Sequence, residues 1–214
     1  MTRGQIRTIV FRITTQTHNP TVTRNAICEA LRSDLISGKL GFDQPIREQG
    51  LAERFGTSRG PVRDALLRLT QEGALVHEPN KGVRVTSPLT DEERSVVASM
   101  RLSLEKHCLT KFMGKMGPDD EKEISLLLER LISACDRASL PGVAECDLAL
   151  HRYWVAQASS HLETMWLGLS VRMIMKYSRL TKYEQIANEH QRIVEAILAN
   201  DLVKALYYLG KNVI

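Results

Sequence analysis

The sequence predicts a mainly α fold in two parts: an N-terminal winged helix-turn-helix with a small β-hairpin, then an antiparallel all-helical bundle. Three observations predict it. A short helix and an arginine-bearing second helix meet at a glycine between Leu51 and Glu72. An alternating apolar run with a Pro-Asn-Lys-Gly turn follows, and beyond residue 90 the apolar residues recur at intervals of three and four.

Leu51, Ala52 and Phe55 give the first short helix one apolar face, and Gly56 supplies a residue that tolerates positive φ where that helix must end. Thr57 or Ser58 is placed to cap the next helix. From Arg59 to Glu72, Val62, Ala65, Leu66 and Leu69 form one buried stripe, and Arg59 and Arg63, four apart, share another beside it. Pro61 falls in the first turn, where no intrahelical acceptor awaits its missing N–H. After Gly73, the alternation Ala74-Leu75-Val76-His77, the turn Pro79 to Gly82 and Val83-Arg84-Val85 predict a two-stranded wing. A guanidinium fork matches phosphate oxygens and the O6/N7 edge of guanine. Arg59 and Arg63 are therefore expected at base edges, with Lys81 and Arg84 at the backbone or the adjacent minor groove. An isolated pair of helix arginines is more often merely solvated; helix, turn, helix and basic wing in one run favour duplex DNA.

At 214 residues, with 43% hydrophobic and 25% charged residues, the chain suits two small globular domains. Residues 1–88 carry 13 Lys and Arg against 8 Asp and Glu, the remainder 16 against 17, so the positive charge sits on the half expected to meet DNA. Cys28, Cys108, Cys135 and Cys146 show no Cys-x-x-Cys pairing, which indicates neither a zinc ribbon nor a disulfide framework. No apolar run approaches a membrane span, and Arg3, Arg7 and Arg12 interrupt any signal-peptide core, so a cytoplasmic protein is expected, without membrane partners. The expected organisation is a flexible arm over residues 1–20, a winged domain over 21–86, a linker over 87–90 and a helical effector-binding and dimerisation domain over 91–214.

Thr90 and Glu93 form a capping-box pattern that opens the bundle. Val97, Met100, Leu104 and Cys108 stripe its first helix, and Ile124, Leu127, Leu128, Leu131, Ile132 and Cys135 the second. Val143–Ala158, Leu162 to about Leu180, Glu184–Ala199 and Leu202–Lys211 follow, with Pro141-Gly142 as punctuation. Polar residues on apolar stripes are the anomaly. Positions 143, 146, 147, 150, 151, 154 and 158 share a side, which points Asp147 and His151 inward, and His190 lies among Ile186, Ile193, Val194 and Ile197. Inward charge needs a partner. One carboxylate and two imidazoles suit Zn²⁺, Ni²⁺ or Mn²⁺, while Asp and His at i and i+4 also make a plain hydrogen-bonded pair. Arg101, between Val97 and Leu104, is expected either to clamp an organic acid or to pair with Glu105. Arg172 is a second candidate clamp. Trp154, Trp166, Tyr177 and Tyr183 line a pocket or, more commonly for such spacing, the core. The same three residues match the two-histidine, one-carboxylate set of non-haem iron oxygenases, which keeps a metal-dependent enzyme on a helical bundle as the alternative.

Leu35 to Leu40, Ile46-Arg47-Glu48, Leu51-Ala52, Phe55-Gly56, Ser58 to Leu66, Arg68-Leu69 and Glu72-Gly73 together resemble the winged-helix domain of GntR-type bacterial transcription regulators. The resemblance implies DNA contacts by Arg59 and Arg63, with Ser58 beside them and Arg47, Glu48 and Gln49 near the DNA backbone. Asp147-x-x-x-His151 and Asn188-Glu189-His190, with Ile193, Ala196-Ile197, Asp201 and Ala205, are similar to the FCD effector domain of the FadR branch. It implies a divalent ion held by Asp147, His151, His190 and a histidine of the last helix. That last position falls on Asn212, whose amide oxygen is the weaker ligand for a borderline metal. It further implies a small carboxylate effector beside Arg101, and the chain is expected to be a homodimeric repressor or activator on a pseudo-palindromic operator.

Overall fold

The structure, a computed structural model, describes residues 23–175 and 182–213. Nine helices and three strands are found among them. Residues of the expected N-terminal arm, Tyr177 and the stretch 176–180 expected to extend a helix lie outside the described residues.

The winged domain is α1 (Arg24–Ile36), β1 (Pro45–Ile46), α2 (Glu48–Phe55), α3 (Arg59–Gln71), β2 (Leu75–Glu78) and β3 (Gly82–Val85). Ile27, Leu31 and Leu35 of α1 are buried, as are Val62, Ala65, Leu66 and Leu69 of α3, the stripe the spacing predicts. Gly56 ends α2 in the left-handed region at φ 59°, and Thr57 N–H then donates to the Ala52 carbonyl at 3.0 Å, closing the tight turn. The wing is larger than a hairpin. β1 pairs with β3, making a three-stranded antiparallel sheet of order β1-β3-β2, because Ile46 lies opposite Val83. Ser58 stands at the N-cap of α3 but makes no side-chain capping bond, contrary to the expected cap.

Thr90 opens α4 (Asp91–Met113) through the predicted capping box: Glu93 N–H donates to Thr90 Oγ1 at 3.2 Å, and Thr90 N–H to Glu93 Oε2 at 2.8 Å. The bundle continues with α5 (Pro118–Asp136), α6 (Leu140–Ala158), α7 (Ser160–Ile174), α8 (Tyr183–Leu198) and α9 (Leu202–Val213). Two expectations are corrected. Pro141-Gly142 lies inside the first turn of α6 rather than between elements, since Ser139 caps that helix and a first-turn proline forfeits no bond. Met100 is 55% exposed; the buried face of α4 is instead Ala98, Arg101, Leu102, Glu105, Cys108 and Leu109. No helix of the described residues is long and apolar enough to cross a membrane.

The domains meet along one junction. Leu89 of the linker packs on Ala98 and Met173, and Gly168 of α7 sits so close to α3 that an added Cβ would lie 2.9 Å from the Glu72 carbonyl oxygen. Charged side chains span the same seam. Arg152 of α6 donates to Glu163 (2.6 Å) and Glu29 (3.0 Å), Glu29 pairs with Arg32 (2.9 Å), and Arg32 grips Glu72 at the end of α3 through Nε (2.9 Å) and Nη2 (2.5 Å).

Candidate DNA-reading surface and buried polar centre

The two candidate reading arginines lie on α3, whose apolar stripe turns toward α1 and leaves the opposite side to solvent. Arg59, at the first position of α3, and Arg63, one turn on, are both exposed. Each touches α2. Arg63 Nε and Nη2 donate to the two oxygens of Glu48 at 3.1 and 2.9 Å, and Arg59 Nη2 donates to Gln49 Oε1 at 3.1 Å. The Arg63 hydrogen bond holds the Glu48 carboxyl below its usual range. Arg47 is exposed at the N-cap of α2, and Ser58 is exposed at that of α3. At the hairpin tip Lys81 pairs with Glu78 at 3.1 Å and stays largely exposed, whereas Arg84, at the centre of the sheet, is half-buried and donates to the Asp43 carbonyl. The wing thus offers one outward cation at its tip and one stapled at its base.

The polar residues that interrupt the bundle stripes do converge. Asp147 and His151 of α6 and His190 of α8 are buried, and one ligand atom from each lies within 4.8 Å of the others. The tautomers follow from the outer bonds. His190 Nδ1 faces the Ile186 carbonyl at 2.7 Å and His151 Nδ1 faces Glu105 Oε2 at 2.7 Å, acceptors that each require N–H on Nδ1. Both Nε2 atoms therefore turn inward, 3.1 Å apart, with Asp147 Oδ1 2.8 Å from that of His190. Burial alone would raise the Asp147 carboxyl and lower the His190 imidazole; their mutual bond outweighs it, so the aspartate is held well below the usual range and the histidine above it. The centre is thus arranged around a positive charge, a proton or a metal ion.

Glu105, expected only as an ion-pair partner for Arg101, also belongs to this centre. Fully buried, it accepts from Arg101 Nε (2.6 Å), His151 Nδ1 (2.7 Å) and Trp166 Nε1 (2.5 Å). Burial pushes its carboxyl up, but the Arg101 charge and the hydrogen bonds from His151 and Trp166 dominate and bring it down to about 2. Of the two readings of Arg101, the structure realises the pair with Glu105, and the guanidinium also lies 5.6 Å from the Trp166 ring. The i, i+4 spacing on α4 was the available signal. Trp154 packs against His151 with ring centroids 4.7 Å apart and planes tilted by 55°, and Tyr183 is half-buried at the start of α8. Arg172 is displaced from its expected role. It leans toward the junction, where its Cδ would meet a Cβ on Gly73 at 3.4 Å and its charge reaches Glu93. Asn212 is buried on α9 and donates its amide nitrogen to Glu189 at 3.1 Å, which leaves the amide oxygen as the only atom it could turn to a metal.

Two family descriptions cover nearly all of this architecture: "Bacterial regulatory proteins, gntR family" matches residues 23–85, and "FCD domain" matches residues 96–209. The chain belongs to the GntR family. This GntR regulator is 28% identical over 190 residues to the HTH-type transcriptional repressor GlaR of Escherichia coli (strain K12), covering 82% of this chain and 85% of that one. It is 24% identical over 195 residues to the gluconate operon transcriptional repressor of Bacillus subtilis (strain 168), covering 85% and 78%. Its fold matches E. coli McbR/YncC with a TM-score of 0.77 at 21% identity, over 89% of this chain and 92% of that one. The protein is a DNA-binding transcription regulator with an FCD effector domain, not an enzyme. The iron-oxygenase reading of Asp147, His151 and His190 accordingly has no support.

Proposed function

We propose that the protein is a cytoplasmic homodimeric repressor that grips a pseudo-palindromic operator through residues 21–86 and releases it when a small organic acid binds within residues 91–214. Arg59 and Arg63 meet base edges, Arg47 and Ser58 lie against the phosphates, and Lys81 and Arg84 serve the wing. In the bundle, Asp147, His151 and His190 hold a divalent ion, Zn²⁺, Ni²⁺ or Mn²⁺, with Asn212 as a weak fourth donor. A bound ion supplies positive charge that attracts a carboxylate. Glu105 fixes the His151 ring, the Ile186 carbonyl fixes that of His190, and Arg101, flanked by Trp166, forms the adjacent cationic wall.

The observation that carries the metal reading is the convergence of two Nε2 atoms and Oδ1, with both Nδ1 atoms already committed elsewhere. Release requires the effector to favour one placement of the reading helices over another. The chain of ion pairs from Arg152, next to His151 on α6, through Glu29 and Arg32 to Glu72 supports a route from the centre to the end of α3. Calorimetric titration of metal-free protein with Zn²⁺, followed by mobility-shift titration of operator DNA with candidate acids, tests the reading. Saturable binding near one ion per chain, lost in His151→Ala, is expected. Its absence removes the metal, and acids that leave operator affinity unchanged remove the effector.

A further inference from the structure

A guanidinium offers donors along two edges: a side edge with Nε–H and one N–H of an Nη, and an outer end with N–H groups of both Nη atoms. In Arg63 the side edge is already occupied. Glu48 takes it bidentately at 3.1 and 2.9 Å, while the arginine side chain stays 69% exposed. We propose that Glu48 is a positioning residue for base recognition, holding Arg63 side-on so that its outer end meets the O6/N7 edge of one guanine. The inference rests on the reading of Arg63 as a base contact.

Three features support it. Glu48 is the first residue of α2 and Arg63 lies on α3, so the pair ties the arginine to a second helix rather than to a neighbour on its own. A long side chain already held in one arrangement gives up less freedom when DNA arrives. A carboxylate beside phosphates would repel them unless neutralised, and here a cation that belongs to the same surface neutralises it. Arg59 is the internal control. It has one bond, to the neutral amide of Gln49, whose nitrogen donates to Glu53 at 3.1 Å. Its fork is held at one point and can still turn, so base choice is sharper opposite Arg63 than opposite Arg59.

Selection of bound duplexes from a random-sequence pool by full-length wild type, Arg63→Ala and Glu48→Gln tests this, with thermal melts and affinity for a fixed non-operator duplex measured alongside. Wild type is expected to select guanine at one position per half-site, and Arg63→Ala to lose it. Glu48→Gln replaces one accepting oxygen with a donor. It is expected to weaken that guanine preference about tenfold, within the range of one bidentate contact, while non-operator affinity and melting temperature change far less. An unchanged preference in Glu48→Gln would show that the pair opens on DNA and overturn the proposal. Loss at a different base pair would show that Glu48 reads a base itself and also overturn it. An unchanged selection by Arg63→Ala would instead remove the underlying reading of Arg63.

Discussion

The molecule builds a guanidinium–carboxylate pair twice, within the bundle as Arg101–Glu105 and on the reading surface as Arg63–Glu48, and water decides what each can do. Arg101 and Glu105 are both buried, and the carboxylate accepts from three donors on three helices. Neither charge has bulk water to return to, so each depends on the other. Arg63 and Glu48 stand in solvent, where such a pair adds little to stability and serves instead to orient a side chain. A geometry that fixes the fold in one domain leaves the other a tool that can be aimed.

The largest effect that would sharpen this contrast is expected from Glu105→Ala, which takes the paired carboxylate from the buried Arg101 guanidinium and the acceptor from His151 Nδ1. Urea unfolding should report a loss of about 3–5 kcal/mol; a loss near zero would mean that water enters the bundle and that the two pairs are alike. Acid titration probes the same residue. Its carboxyl lies at about 2 when folded against 4.5 ordinarily, so its stabilisation is present above pH 4.5 and drains away as pH falls toward 2. The wild-type melting curve should steepen in that window, and that of Glu105→Gln should be flatter there.

A smaller effect is expected at the junction. Gly168→Ala puts a methyl 2.9 Å from the Glu72 carbonyl oxygen, a backbone atom that cannot rotate away. Overpacking of this kind costs about 1–3 kcal/mol, and mobility-shift titration should show altered operator affinity even without effector. Smallest should be the stability change in Glu48→Ala, with a melting temperature within about 1–2 °C of wild type. A large drop there would erase the distinction between the two pairs.

The sequence reading succeeded where chemistry broke a pattern. Asp147, His151 and His190 stood out because each interrupts an apolar stripe, and the structure gathers all three. It failed where burial hides charge. On α4 the spacing places Arg101 inward, but the burial of Glu105 blurs the stripe, and the apparent apolar face through Met100 lies to one side of the buried one. The helix α1 escaped notice for a similar reason, since its buried face carries Arg32 and Asp34, satisfied by Glu72 and Arg54 on other helices. β1, two residues long, has no room to alternate; only its pairing with β3 makes it a strand. Arg172 was assigned inward by its helix neighbours, and nothing in their spacing discloses that the winged domain takes up that flank.

Gly168 has a consequence for engineering. A helix that touches another domain's main chain at a bare Cα permits contact only with a surface of matching shape. Transplanting this reading head onto a different sensor would need a similarly naked position where the recognition rod ends. Without one, the two domains of the hybrid would be held apart at this point, and its DNA affinity should respond less to ligand.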